Sequence, residues 1–271
     1  MRRLLVNADD FGFTTDTNDG IVTAHRDGIL TATTLMANGA AFAHAVALAR
    51  QTPTLDVGCH LVLVGGNSLV DGRAYPRSVA QLIREIALGR WDLERELRAQ
   101  VARVVAAGIQ PTHFDTHKHT HLLPPVLSAV AKLAAEFGVR WVRRPFDFPL
   151  DGQPVGFSRR AAAMVVGGLR PLFHRVLTRY GCATTDHFAG FQITGTFDAE
   201  SVIRVIENLP PGSTELMCHP GYLRHELRAA TTRLKASRER ELAALIDPAV
   251  KSALARCQVT LTRYRDLPPV Q

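Results

Sequence analysis

The stretch Thr112–Pro124 constrains this chain more than any other. It reads Thr-His-Phe-Asp-Thr-His-Lys-His-Thr-His-Leu-Leu-Pro, with His113, Asp115, His117, His119 and His121 spaced two apart. Side chains alternate between the faces of a β-strand, so an extended run would put all five on one side. Imidazole nitrogens and carboxylates are the ligands that zinc and similar divalent ions take. The plain alternative is a His-rich surface loop that binds metal incidentally. Further ligands at other strand ends would favour a built site.

Three other stretches offer them. Asn7-Ala8-Asp9-Asp10-Phe11-Gly12 puts two acids directly after the apolar run Arg3–Asn7. Adjacent acids there are costly unless paired or metal-bound. Neighbours on a strand end point to different sides, so one acid would bind metal while the other faces substrate or water. A solvated turn or a helix N-cap is the alternative. His60 lies inside Leu55–Val64, which is apolar on both parities, as in a strand buried on both faces. A lone His in such a strand is more often a satisfied core residue. Met217-Cys218-His219-Pro220-Gly221 has the same shape of strand, His and turn, and its plain reading is a turn residue before Pro-Gly.

Apolar strands alternate with helical periodicity along the chain. Strands are expected at 3–7, 32–38, 55–64, 112–117, 139–142, 184–191, 214–218 and 259–264. Helices are expected at 16–26, 40–50, 91–107, 125–137, 159–180, 201–208 and 234–245, with Gly167, Gly168 and Pro171 bending or breaking the long one. Seven or eight alternating strands argue for a parallel α/β fold. The reactive residues fall at strand C-terminal ends, which a TIM-type barrel gathers at one mouth, and GxGxxG is absent. The expected fold is an irregular (β/α) TIM-like barrel of mostly parallel strands, with residues 1–271 as a single catalytic barrel domain.

Net charge is +7, and lysine occurs only at 118, 132, 235 and 251, so the excess is arginine. No helix-turn-helix, RRM or zinc-finger pattern accompanies it, and no nucleic-acid partner is expected. Cys59, Cys182, Cys218 and Cys257 form no CxxC, so reduced thiols are expected. The chain has no apolar run of membrane-spanning length and no signal-peptide apolar region, so a cytoplasmic location is expected.

Taken together, Asn-Ala-Asp-Asp-Phe-Gly at 7–12, Gly-x-His-Leu-x-Leu at 58–63, Thr-His-x-Asp-x-His-x-His-x-His at 112–121 and His-Pro-Gly at 219–221 resemble the YdjC-like carbohydrate deacetylases. That group includes chitooligosaccharide deacetylases and hopanoid-biosynthesis-associated proteins. The resemblance extends from residue 3 to about 267, and includes Thr232–Lys235 and Arg238-Glu239. It implies a barrel of the NodB-like deacetylase type, one divalent metal (Mg²⁺ or Zn²⁺, other transition metals also fitting) and hydrolysis of an N-acetyl group on an amino sugar, with release of acetate. Carried over residue by residue, it makes Asp10, His60 and His117 the metal ligands. The more distantly similar NodB-type enzymes use an Asp-Asp pair, the first as base and the second on metal. They also share an Arg-x-Pro-aromatic element, which Arg143-Arg144-Pro145-Phe146 resembles.

On that reading Asp9 is the base, His219 as imidazolium is the acid that protonates the leaving amine, and Arg143 keeps Asp9 ionised. Asp115 would support a ligand His, and His113, His119 and His121 would line the site or pack. The substrate is an N-acetylated sugar, free or lipid-linked, shaped by loop Gly65–Ser78 and segment Phe146–Arg160. Another metal-dependent amidase or phosphoesterase, or a silent glycan-binding barrel, are the alternatives. The sequence leaves the role of Asp186 open. Phe157–Tyr180 combines an apolar stripe (Met164, Val165, Leu169, Leu172, Phe173, Val176) with five arginines. Such a stripe is expected to pack on the sheet; a homodimer interface or peripheral contact with an anionic membrane would use it differently.

Overall fold

The computed structural model describes residues 1–150, 153 and 155–268. The expected domain span 1–271 and the substrate segment 146–160 therefore run partly outside the described residues. Eight strands form one sheet: β1 Arg2–Phe11, β2 Ala32–Leu35, β3 Asp56–Leu61, β4 His113–Thr116, β5 Trp141–Val142, β6 His187–Ala189, β7 Gly212–Cys218 and β8 Val259–Leu261. Their order is β5-β4-β3-β2-β1-β7-β6, with β8 on β1, and every pairing is parallel. Between β5 and β6 only isolated parallel bridges, Trp141 to Ala183 and Asp147 to Phe188, close the curl into an irregular (β/α) barrel.

Helices cover the outside, so most strand residues are buried and β1 carries Leu4-Leu5-Val6 in succession. Thr14 caps the helix Thr15–Asp27 by accepting from the Thr17 N–H, and Ser78, Asp92, Asp198 and Asp247 cap four others in the same way. Helices at Val79–Ala87, His225–Ala229 and Pro248–Arg256 lie where no helix was expected. The long helical stretch is broken as its glycines require, into Phe157–Gly167 and Arg170–Arg179. None of the four cysteines is in a disulfide, and no helix among the described residues is long and apolar enough to cross a membrane.

Parallel register places the chemistry. Leu5, Asn7 and Asp9 alternate along β1, and Glu215, Met217 and His219 follow the same parity along β7 and just past it. Ala8 pairs with Cys218, so Asp9 and His219 come one step beyond a paired position. His60 pairs with Asp115 across β3 and β4. In-register neighbours point the same way, which sets these two side chains next to each other.

The turn carrying His219 is seated directly on a helix. A Cβ at Gly20 would lie 2.5 Å from the Gly221 Cα, a backbone-to-backbone approach that only glycine allows. Gly20→Ala is expected to cost about 1–3 kcal/mol by overpacking and to shift His219. A thermal melt indistinguishable from wild type would contradict this contact.

Candidate active site

β1 delivers both acids. Asp10 adopts a left-handed backbone (φ 69°) and the β1–β2 register shifts between Ala8 and Phe11. The expected split of Asp9 and Asp10 onto different sides therefore does not occur, and both carboxylates line the cleft. The expected single row of imidazoles does not occur either. β4 stops at Thr116, and His117–Leu122 is a 3-10 segment broken by left-handed Lys118 (φ 55°) and His119 (φ 51°).

The histidines fan out as a result. His117 turns to Asp10 and His60. His119, half-buried, packs against Phe188 and Phe191, with ring centroids 6.2 and 5.5 Å away, and lines the cleft. His121 is fixed by Thr116 Oγ1 at 2.6 Å and the Arg143 carbonyl at 3.0 Å. His113 lies deeper, stacked on Tyr264 with centroids 3.8 Å apart and bonded to Asn7 Oδ1 at 2.9 Å. Neither His113 nor His121 lines the cleft. Burial holds His113 and His119 well below the ordinary imidazole range and pushes His121 down to about 3. His113 and His121 are hydrogen-bonded packing groups, whereas His119 Nδ1 is buried without a hydrogen-bond partner. Asp186 sits away from them, accepting from the Ser213 N–H and hydroxyl.

Three donor atoms converge. Asp10 Oδ1 is 3.4 Å from His60 Nε2 and 3.2 Å from His117 Nδ1, and the two imidazole nitrogens are 3.3 Å apart. An ion that binds its ligands at about 2.1 Å spaces them about 3–3.5 Å apart. Asp10 Oδ1 is buried and lacks a hydrogen-bond partner. His60 Nδ1 is 2.7 Å from Asp115 Oδ1, which fixes the tautomer and turns the Nε2 lone pair to the cluster. Asp115 Oδ2 in turn accepts from Thr34 Oγ1 at 2.9 Å.

Charge points the same way. Burial alone would lower the His60 pKa, but Asp115 and Asp10 outweigh it and push it up to about 10. Burial alone would raise Asp10, but Arg238 and the two imidazoles hold it well below the usual carboxylate range. With His60 neutral, as a ligand must be, three buried carboxylates, Asp9, Asp10 and Asp115, face two guanidinium groups, Arg143 and Arg238, and the cluster is short of positive charge. These residues fit a divalent cation in spacing, donor type and charge.

Arg143, just past β5, organises the other half. It is 1% exposed. Its Nη1 and Nη2 each donate to Asp9 at 2.7 Å, Nη1 also lies 2.7 Å from Asp115 Oδ2, and Nε donates to Glu215 Oε1 at 2.7 Å. Burial would raise the Asp9 pKa, but the guanidinium holds it far below the ordinary range. His219 Nε2 lies 3.8 Å from Asp9 Oδ2. Burial pushes His219 down to about 4 against the pull of Asp9 and Asp10.

Three residues of this cluster carry no role in the sequence reading. Glu215 sits mid-strand under Arg143, and burial pushes it up to about 7. The helix Ala236–Ile246 supplies Arg238, whose Nη2 donates to Asp10 Oδ2 at 2.5 Å, and Glu241, which accepts the His219 backbone N–H. An acid inside the expected strand 214–218 was the available signal for Glu215. Arg238 gave none beyond a motif match and Glu241 gave none at all, because charges on a helix are usually solvated.

The cluster opens into a cleft of about 1370 Å³, lined among others by Asn38, Gly65, Gly66, Arg159, Thr232 and Lys235. The cleft thus draws on the expected loop Gly65–Ser78 and on the described part of segment 146–160. The sequence model of the YdjC-like protein family matches residues 3–256. A carbohydrate deacetylase of Brevibacillus brevis is 36% identical over 98% of this chain and 99% of its own length. One of Geobacillus stearothermophilus is 34% identical over 98% of each. Among solved structures, a protein of Enterococcus faecalis titled as a putative cellobiose-phosphate cleavage protein superposes with TM-score 0.75 at 22% identity, covering 97% of this chain and 98% of that one. The lactam utilization protein of Thermus thermophilus gives TM-score 0.51 at 16% identity, covering 96% and 98%. At those identities the two structures speak for the fold alone, whereas the match to the family over most of the length decides kinship: the chain belongs to the YdjC-like protein family.

Proposed function

We propose that this protein is a metal-dependent carbohydrate N-deacetylase, hydrolysing the N-acetyl group of an amino sugar to the free amine and acetate. The observation that carries the reading is the convergence of Asp10, His60 and His117 beside Asp9 and His219 at the floor of one cleft. The full-length likeness to carbohydrate deacetylases supports the substrate class.

Asp10, His60 and His117 would hold the ion, magnesium or zinc being the first choices. When bound, such an ion supplies Lewis acidity to the amide carbonyl and a lowered pKa to water. Asp9 takes the proton of the attacking water. Arg143 leaves Asp9 anionic and fixes the plane of its carboxylate. Addition of the hydroxyl to the carbonyl carbon gives a tetrahedral centre, whose collapse needs a proton on the sugar nitrogen. His219 is neutral at rest and 3.8 Å from Asp9 Oδ2, so it receives that proton during turnover and passes it to the amine. Glu241 Oε2, 3.9 Å from His219 Nδ1, faces the positive charge that appears on the ring. The C–N bond then breaks, acetate leaves, and Asp9 and His219 return to their starting states.

Acetate release from N-acetylglucosamine oligomers tests the reading. Prolonged chelation followed by desalting is expected to abolish it, and readdition of a divalent ion to restore it. Full activity in rigorously metal-free protein would refute the metal reading, and no acetate from any N-acetylated sugar would refute the substrate class.

A further inference from the structure

The helix Phe157–Gly167 buries none of its residues. Phe157, Met164 and Val165 are 88%, 79% and 76% exposed. At 100° per residue they fall with Ala161 on one face. Ser158, Arg159 and Ala162 fall on another, and it is these that line the cleft. Of the expected stripe only Phe173, on the next helix Arg170–Arg179, is buried, and it packs against His121 and Phe146. Leu169 and Leu172 extend the uncovered apolar surface at 37% and 39% exposure. An apolar patch left in water on an otherwise well-packed protein marks an interaction site.

Its charge says what kind. Residues 155–185 contain Arg159, Arg160, Arg170, Arg175 and Arg179 and no Asp or Glu, so they carry five positive charges of the chain's net +7. Arg159 and Arg160 donate to the carbonyls of Gln192 and Val155, and Arg170 and Arg179 lie over the rings of Phe146 and Tyr180. None of those contacts is an ion pair with an acidic residue. A second copy meeting this face about a two-fold axis would set the same five arginines against each other.

We propose that this face docks on an anionic lipid bilayer, with Phe157, Met164 and Val165 entering the interface and the arginines at the level of the headgroup phosphates. Binding by three apolar anchors and a few charges is weak and reversible, and it weakens as salt screens the arginines.

The experiment is flotation of the full-length protein with vesicles of phosphatidylglycerol and phosphatidylcholine, against phosphatidylcholine alone. Wild type is expected to float with the anionic vesicles at low salt, and about tenfold less with neutral vesicles or at high salt. The triple variant Phe157→Ser, Met164→Gln, Val165→Gln and the charge-reversed Arg160→Glu, Arg175→Glu are each expected to lose about tenfold of the binding. Both should keep the wild-type melting temperature, because these side chains are outside the core. Absence of flotation, or flotation unchanged in both variants, overturns the proposal. So does a concentration-dependent dimer, seen without vesicles, that the triple variant abolishes.

Discussion

Asp9→Asn is expected to slow acetate release by about 10²–10⁴-fold, the range for loss of a general base. Asp9 Oδ1 accepts from Arg143 Nη2 and Asn7 Nδ2, Oδ2 accepts from Arg143 Nη1, and Oδ2 faces His219. Asparagine matches the shape but not the chemistry, since its amide cannot take a proton from water at neutral pH. One of its ends also presents N–H groups to a guanidinium N–H, at a cost of about 1–3 kcal/mol for the unmet donor. The fold and the donors of the metal cluster, Asp10, His60 and His117, are expected to survive. The check is a matched set of rates, metal contents and melts. Near-normal turnover in a metal-replete Asp9→Asn protein would remove Asp9 from the role of base, and a fall that tracks lost metal would move it to the ion's support.

Arg143→Met is expected to be the most destabilising single change in the site. The guanidinium is fully enclosed and pairs with Asp9, Asp115 and Glu215 at once. Removing one partner of a buried ion pair costs about 3–5 kcal/mol, because the remaining charges stay buried without compensation. For a chain of this size that is a fall of about 10 °C in melting temperature. Arg143→Lys tests whether charge or geometry matters more. A single ammonium cannot present the fork that meets three carboxylates, so lysine is expected to recover part of the stability and little of the rate. Calorimetry with acetate release separates the two effects. A methionine variant melting within a degree or two of wild type would show that the carboxylates are neutralised some other way.

The strands and the reactive strand ends were legible because their signals are local. Apolar runs ending in Asp, His or Arg state both where a strand stops and what it delivers, and parallel connection brings those ends to one mouth. The histidine run misled for a physical reason. A spacing of two is the strand period, but nothing in His117-Lys118-His119 announces two left-handed residues, so a sequence that reads as a row folds as a fan. Glu215, Arg238 and Glu241 escaped because a charged side chain is normally solvated, and their partners lie 72, 228 and 22 residues away in the chain. The Phe157–Gly167 stripe was visible, but periodicity tells which residues share a face and not what covers it.

The weakly joined seam between β5 and β6 gives Arg143 a second meaning. A continuous ladder would hold that edge with backbone bonds, whereas here two isolated bridges do so. Arg143 leaves β5 at this edge and reaches across the interior to Asp9 on β1 and Glu215 on β7. The side chain that sets the charge of Asp9 is therefore also a tie-rod across the open side of the barrel. Selection acting on reactivity and selection acting on architectural integrity meet at one position. A lineage that gave up the reaction would still be under pressure to keep this arginine, so its presence in a relative testifies to the barrel before it testifies to turnover.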